Sequence, residues 1–284
     1  MTATEEASDA ELLNDALAAA KRAVAIAAME EMRKRAQRYR EKPVDALEES
    51  LAALDLKEGG QGLVSRMHQL HDKIFIEHPI ALGKAISRKE RDHLGKAASS
   101  TLTYGEVTFD ALAVALSKIR HVWGPKAVSG EAGPLQEPGG VFVDLGSGTG
   151  KGVIAAALFH RFTACHGIEI LEGLYKTSLE IKKSWDEKHR EEAGASATVN
   201  FWHGDATDLG VFDWSTADVV FANSTCFHDA LMRSIADCCA SLRVGAFVIT
   251  FTRQLPSPLF TVLEHQMYEM SWGGATVFIQ QKTS

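Results

Sequence analysis

The 284-residue chain is poor in the features that mark secreted, metal-stapled or membrane-embedded proteins. Its four cysteines, Cys165, Cys226, Cys238 and Cys239, form no C-x-x-C pair and no disulfide-like framework. That usage predicts a reducing compartment and no bound metal. No apolar run is long enough to cross a bilayer. The alanine-rich "ALAAAKRAVAIAAME" carries Lys21 and Arg22 in its middle, so it reads as a water-facing helix, and no secretory signal is seen. An excess of positive charge is missing too. With a formal net charge of −7, the chain has no overall field that would draw in nucleic acid, and any such contact needs a local patch. An intracellular protein is therefore expected.

What is present is 45% hydrophobic residues, enough for one large core or for a core with a helical extension. Residues 1–10 are polar and read as disordered. Residues 11–40 are rich in strong helix formers and end in a basic run, Arg33, Lys34, Arg35, Arg38, Arg40 and Lys42. Glu30, Glu31 and Glu41 dilute that run, so it reads as a solvated helix face; residues 33–42 are nonetheless the one candidate for nucleic-acid contact. Pro43 ends one helix and starts another, "KEGGQG" breaks it, and a further helix runs through "LVSRMHQLHDKIFIEH". Ser87 reads as the N-cap of "RKERDHLGKAA". "SSTLTYGEVTFDALAVALSKI" is a polar loop leading into an amphipathic helix, with Thr108 as cap and Asp110 in its first turn. Residues 124–140 are dense in Gly and Pro and read as a loop.

From Val141 the rhythm changes. "VFVDLG", "ACHGIEI", "TVNFWHGD", "ADVVFAN" and "GAFVITF" are strand-like and most are followed by helical stretches. "YEMSW" and "GATVFIQQK" face each other across Gly273 and Gly274 as a terminal hairpin would. Strand–helix alternation predicts an open, Rossmann-like α/β sheet of seven strands with helices on both faces. Its antiparallel finish departs from an all-parallel dinucleotide fold and suits the methyltransferase form of the sheet. The expected division is a helical region at 1–100 and a sheet domain at 101–284.

In such sheets ligands bind beyond the carboxyl ends of the strands. The turn after the first strand is Gly146-Ser147-Gly148-Thr149-Gly150, with Gly152 beyond. Glycines let the backbone approach a ligand, and the next helix offers free N–H groups. The dinucleotide spacing G-x-G-x-x-G is not met. Asp144 at the strand end would repel a pyrophosphate and suits a cationic or hydroxylated ligand. Glu169 closes the second strand, where a carboxylate can take both ribose hydroxyls. Asp205 closes the third and can accept from an adenine amino group, with Ala206 leaving room for the ring. Three acids at three consecutive strand ends suit S-adenosylmethionine, with NAD as runner-up; taken singly, each acid could instead cap the helix after it.

Those stretches resemble the class I S-adenosylmethionine-dependent methyltransferases. More narrowly, "TYGEVTF", "VFVDLGSGTGK" and "VVFANSTCF" are similar to the DOT-type (disruptor of telomeric silencing) histone-lysine methyltransferases. The resemblance covers about residues 100–282 and implies a chromatin-directed protein-lysine N-methyltransferase, nuclear if the acceptor is a histone and cytoplasmic otherwise. It implies that Tyr104, Gly105, Glu106 and Val107 form a loop over the cofactor, with Val107 where the family has threonine. It implies that Phe142, Val143, Asp144, Leu145, Gly146, Ser147, Gly148, Thr149, Gly150 and Lys151 form the cofactor turn, with Glu169, Asp205 and Ala206 completing the cofactor site. After the fourth strand, Asn223 and Phe227 match the family's first asparagine and last aromatic, while Ser224 and Thr225 replace the asparagine and phenylalanine between. The catalytic set expected is Asn223, orienting the amine or the methionine part of the cofactor, with Phe227 and Tyr104 walling the channel.

Plainer readings stand beside these. Asn223 could cap the next helix, Phe227 could be core, and Tyr104 a buried tyrosine with a backbone partner. Trp272, His203 and the Cys238–Cys239 pair read as structural. The alternative functions are a class I methyltransferase acting on a non-histone protein, a nucleic acid or a small molecule, and a cofactor-binding scaffold without activity. "NSTC" is not the Asn/Asp-Pro-Pro-aromatic sequence usual in nucleic-acid amino-methyltransferases.

Overall fold

A computed structural model describes residues 62–94, 101–123, 135, 138–270 and 273–284, all within one compact unit. The expected helices at 11–40 and after Pro43, the basic run at 33–42, most of the Gly/Pro loop and Trp272 lie outside the described residues.

Seven strands form one sheet: β1 (Val141–Leu145), β2 (Ala164–Glu169), β3 (Thr198–His203), β4 (Val219–Ala222), β5 (Phe247–Phe251), β6 (Phe260–Met270) and β7 (Gly273–Lys282). Their order is β3-β2-β1-β4-β5-β7-β6. The first five run parallel and β7 pairs antiparallel with both β5 and β6, as the sequence predicts. Parallel neighbours need crossovers, and helices supply three of the four: α4 (Lys151–Phe159) between β1 and β2, α5 (Glu172–Ser184) between β2 and β3, and α6 (Asp229–Cys239) between β4 and β5, while a looser chain with one 3-10 turn, Trp214–Thr216, joins β3 to β4. Before β1 come α1 (Leu63–Ile74), α2 (Ile80–Leu94) and α3 (Phe109–Lys118).

Alternate residues of each strand face opposite sides. Phe142, Cys165, Val199, Phe221 and Ile249 pack into the core beneath α1, α3 and α4. Val143, Leu145, Ile168, Val220 and Val248 pack into a second core beneath α6. α1 packs on α4 and α2 on α5, so the described part of the expected front region, 62–94, is built onto the sheet.

Three local expectations change. Ser87 does not start a helix: α2 runs unbroken from Ile80 to Leu94, and Ser87, fully buried, donates its hydroxyl to Leu102 O at 3.1 Å. α3 is not amphipathic but buried nearly all round, from Phe109 to Ser117, because α1, α4 and β6 all pack on it; Thr108 does cap it, accepting from Ala111 N at 3.4 Å. The terminal hairpin is longer than "YEMSW", since β6 begins at Phe260. A register shift between Val262 and Glu264 breaks the strand alternation, and Glu264, Gln266 and Tyr268 all bond Lys118 of α3, which gives polar residues partners inside a strand.

Candidate cofactor and methyl-transfer site

β1 pairs with β2 on one side and β4 on the other, so the chain reverses direction of travel across the sheet at β1. A crevice opens beyond the carboxyl ends of the strands at such a switch point. A cavity of about 310 Å³ lies there, lined by 101–105, Leu145, Gly146, 168–171, Leu174, 204–207, Asn223, Phe227, His228, Leu231 and Ile235. It takes contributions from every strand end between β3 and β4 and from the segment before α3.

Of the expected site residues, Tyr104, Gly105, Leu145, Gly146, Glu169, Asp205, Ala206, Asn223 and Phe227 line this cavity. The others stand behind it. Phe142 and Val143 are wholly buried on opposite faces of β1, so their side chains belong to the two cores and not to the cofactor cavity. Val107 packs against the first core. Asp144 is buried behind the turn and faces Gly152, where an added Cβ would lie 2.5 Å from Oδ2. Ser147 is buried with no partner for its hydroxyl. Gly150 starts α4 with a left-handed backbone, φ 92°.

Glu169 is 5% exposed, and each of its oxygens already accepts a backbone N–H: Oε2 from Gly148 at 2.7 Å and Oε1 from Leu171 at 2.8 Å. A carboxylate oxygen has a second lone pair, so both remain able to accept hydroxyls. Burial pushes the Glu169 carboxyl up from its usual range, against the pull of those N–H groups. Asp144 is pushed up well above its usual range, first by burial and then by the charge of Glu169. Two buried acids this close favour a cation between strand ends over a bare solvent pocket. Asp205 is exposed, and its Oδ1 accepts from both the backbone N and the hydroxyl of Thr207, each at 2.8 Å, in a turn that fixes the carboxylate at the end of β3. No lysine or arginine is among the described residues lining the cavity.

The segment 101–107 crosses the cavity as a strap with its own fastenings. Tyr104 donates its hydroxyl to Glu106 Oε1 at 2.6 Å and meets the Thr149 hydroxyl at 3.0 Å. Glu106 Oε2 accepts from Lys151 Nζ at 2.6 Å in a nearly buried ion pair. The Tyr104 ring lies between two glycines: a Cβ on Gly83 of α2 would fall 2.6 Å from Cζ, and one on Gly148 would fall 2.5 Å from Cε2. Gly148 also needs its glycine for the backbone, at φ 56°. Asn223 closes the strap from the β4 side, donating Nδ2 to Gly105 O at 2.9 Å. Asn223 makes no helix-capping bond with its side chain.

Several cavity residues escape the sequence reading. Thr101, Leu102 and Thr103 join through α2, where Ser87 and Arg91 hold Leu102 O and the Thr103 hydroxyl. Glu90 of α2 accepts from Gly173 N at 2.6 Å and so caps α5 beside Glu169. His228, the imidazole on the cavity wall, uses Nδ1 to cap α6 by accepting from Leu231 N at 3.0 Å. Links to α2 across 12, 15 and 83 residues of chain carry no local sequence signal. His203 is placed as expected, stacked on Tyr175, and Cys239 is core.

A family model described as "Histone methylation protein DOT1" matches residues 132–271, just under half of the chain. That match coincides with a seven-stranded sheet whose last strand is antiparallel and whose cavity is walled by carboxylates. The sheet order and its antiparallel last strand are those of the class I S-adenosylmethionine-dependent methyltransferase fold. No curated protein matches the chain. Solved structures with related folds include the tRNA methyltransferase TrmK of B. subtilis, at 16% identity over 52% of this chain and 62% of that one, TM-score 0.39. TrmN from Thermus thermophilus follows at 17% identity over 62% of this chain and 49% of that one, TM-score 0.45. The rRNA methyltransferase aviRa from Streptomyces viridochromogenes stands at 12% identity over 62% and 86%, TM-score 0.45. The chain thus spans about half of TrmN and less than two thirds of TrmK, and at these scores the likenesses say nothing about substrate.

The donor set fits the cofactor. Glu169 would take the ribose hydroxyls, Asp205 and Ala206 the adenine, and the turn at Gly146 the methionine part. S-adenosylmethionine supplies an electrophilic methyl group on a sulfonium. Among the described residues no group of side chains is arranged to hold a metal ion, and no helix is long and apolar enough to cross a membrane.

Proposed function

We propose that this chain is an S-adenosylmethionine-dependent methyltransferase, and more narrowly a protein-lysine N-methyltransferase resembling the DOT-type histone enzymes. One observation carries the reading. The Tyr104-Gly105-Glu106 strap and the Asn223 segment, 118 residues apart in sequence, meet at the cavity through the Asn223–Gly105 bond. These are the two sequence signals that separate the DOT-type resemblance from class I enzymes at large. The family match to a histone methylation protein lends support.

The chemistry is consistent with an amine acceptor. Glu169 and Asp205 give the cavity two carboxylates and its described wall has no lysine or arginine, so a cation is favoured there and a phosphate is not. An incoming ammonium must lose a proton to attack, and burial disfavours its charged form, so no dedicated base is required. His228 is already committed as a cap. Asn223 uses one amide hydrogen on Gly105, and its Oδ1 can accept an acceptor N–H. Phe227, half-buried on the wall, and Tyr104 would border the acceptor's alkyl chain. Orientation of this kind contributes on the order of 7–11 kcal/mol at best.

The same wall accommodates a lysine of a non-histone protein, a reading favoured by the net charge of −7, which repels nucleosomal DNA. A histone acceptor implies action in the nucleus, another protein the cytoplasm. Labelled S-adenosylmethionine offered to separate pools of histones, nucleosomes, cytosolic protein and RNA tests the proposal. Label on lysine in histones or nucleosomes supports it, label on cytosolic protein moves it to the second reading, and label in RNA alone refutes both.

A further inference from the structure

A β-branched residue rarely adopts the left-handed backbone, because its side chain crowds the following carbonyl. Among the described residues Thr252 is the one non-glycine that does so, at φ 65°, immediately after β5. The turn is braced from within. Thr252 N donates to Thr276 O at 2.6 Å, and Arg253 N to Phe251 O at 2.7 Å. Thr250, wholly buried, donates its hydroxyl to Arg253 O at 2.6 Å and accepts from Gln280 Nε2 at 3.0 Å. Gln280, 1% exposed, accepts from Leu255 N at 2.8 Å. Two buried polar side chains are thus committed to holding a strained turn whose threonine is exposed. Strain maintained in this way marks a position where the direction of a side chain matters.

The direction is toward Asn223. Thr252 Oγ1 donates to Thr225 Oγ1 at 3.2 Å, and Thr225 Oγ1 donates to Asn223 Oδ1 at 3.3 Å. A threonine hydroxyl can donate or accept. With the Thr252 proton pointing into it, Thr225 accepts there and turns its own proton onto Asn223. The amide is then fixed at both ends, Nδ2 on Gly105 O and Oδ1 on Thr225, with one lone pair of Oδ1 left. The same turn holds the neighbouring wall: Arg253 Nη1 donates to Phe227 O at 3.1 Å and pairs with Asp229 at 2.6 Å.

We propose that Thr252 is a positioning residue for the methyl acceptor: the braced turn aims its hydroxyl through Thr225 at Asn223 and so fixes the amide oxygen that receives the acceptor's N–H. The inference rests on the reading that Asn223 faces an amine acceptor. It is tested on the full chain with Thr252→Val, which keeps the branched shape and the backbone strain and removes only the hydroxyl, and with Thr252→Ser, which restores the hydroxyl. Transfer to core histones, and to cytosolic protein if that pool is the one labelled, is measured beside S-adenosylhomocysteine affinity and melting temperature. For Thr252→Val the expected result is a loss of about tenfold in kcat/KM for the acceptor, the effect of one aligned hydrogen bond, with cofactor-product affinity and melting temperature unchanged. Thr252→Ser should recover most of the loss. Thr225→Val breaks the relay one link further in and should show the same split, which keeps the test usable if Thr252→Val folds poorly. Wild-type transfer by Thr252→Val overturns the inference alone, as does a fall in S-adenosylhomocysteine affinity or melting temperature that matches the fall in rate. A wild-type chain that labels no lysine in any pool overturns the proposed function and this inference together.

Discussion

Replacing Gly83 with alanine should weaken the protein, although helix propensity predicts the opposite. Gly83 lies inside α2, where alanine is favoured over glycine by about 1 kcal/mol. The added Cβ would sit 2.6 Å from Tyr104 Cζ and 2.9 Å from the hydroxyl oxygen. The ring cannot retreat, because the same approach exists on its other side, at Gly148. Tyr104 must leave its slot. It then loses part of its burial, roughly 1–2 kcal/mol, and its bond to the Glu106 carboxylate, about 1.5 kcal/mol. Set against the propensity gain, the net loss is about 2 kcal/mol. In a Tyr104→Ala background the obstacle is gone and Gly83→Ala should stabilise by about 1 kcal/mol, so the two changes couple by about 3 kcal/mol. Thermal melts of the four chains, with and without S-adenosylhomocysteine, measure this cycle. Gly83→Ala should melt several degrees low and bind the ligand weakly, and the double variant should melt above Tyr104→Ala. A Gly83→Ala single variant that melts higher than wild type would refute the wedge and with it the account of how the strap is held.

Lys151→Met leaves Glu106 without its nearly buried cation, which should cost about 3 kcal/mol of unfolding free energy in denaturant titration and weaken ligand binding, since Glu106 also anchors Tyr104. His71 sits buried under the start of α4 with its Nε2 on Lys151 O, and burial lowers its pKa from 6.5 to about 4. The unfolded chain therefore binds the extra proton first, so this contribution is complete above pH 6.5 and is lost as pH falls toward 4, by roughly 3 kcal/mol in all. Wild type minus His71→Phe, compared in denaturation across that window, should show the slope, and a flat difference would contradict it. Asp144 has the reverse sign: its carboxyl is held above the usual range by burial and by Glu169, so stability falls as pH rises from the ordinary carboxylate value through the raised one. Asp144→Asn should remove that fall, raising the melting temperature at neutral pH while lowering affinity for S-adenosylmethionine.

Elements governed by local chemistry were legible in the sequence. The switch from helical to strand period at Val141, the glycine turn, Glu169 at the end of β2, Asp205 at the end of β3 and the antiparallel finish all follow from periodicity and from where strands end. What was hidden depends on partners far along the chain. Ser87 resembles a cap because serine often is one, but its hydroxyl goes to Leu102 O and α2 passes straight through. The first half of β6 was not visible because a register shift and the polar Glu264 and Gln266, satisfied by Lys118, mask the alternation. Within the cofactor turn, a contiguous stretch of sequence divides between core and cavity: Phe142 enters one core and Val143 the other, and only at the strand end do Leu145, itself in the second core, and Gly146 border the cavity. Thr252 is ordinary as a letter, and only its backbone angle and its neighbour Thr225 distinguish it.

The central claim is that this carboxylate-walled cavity holds the sulfonium nucleoside. Isothermal titration of S-adenosylmethionine and S-adenosylhomocysteine into the purified full chain addresses it directly. Uptake of one molecule per chain is predicted, weakened about 10- to 150-fold by Glu169→Gln, the range for losing hydrogen bonds to a charged acceptor. No uptake of either compound by wild type, or equal uptake by Glu169→Gln, would contradict it.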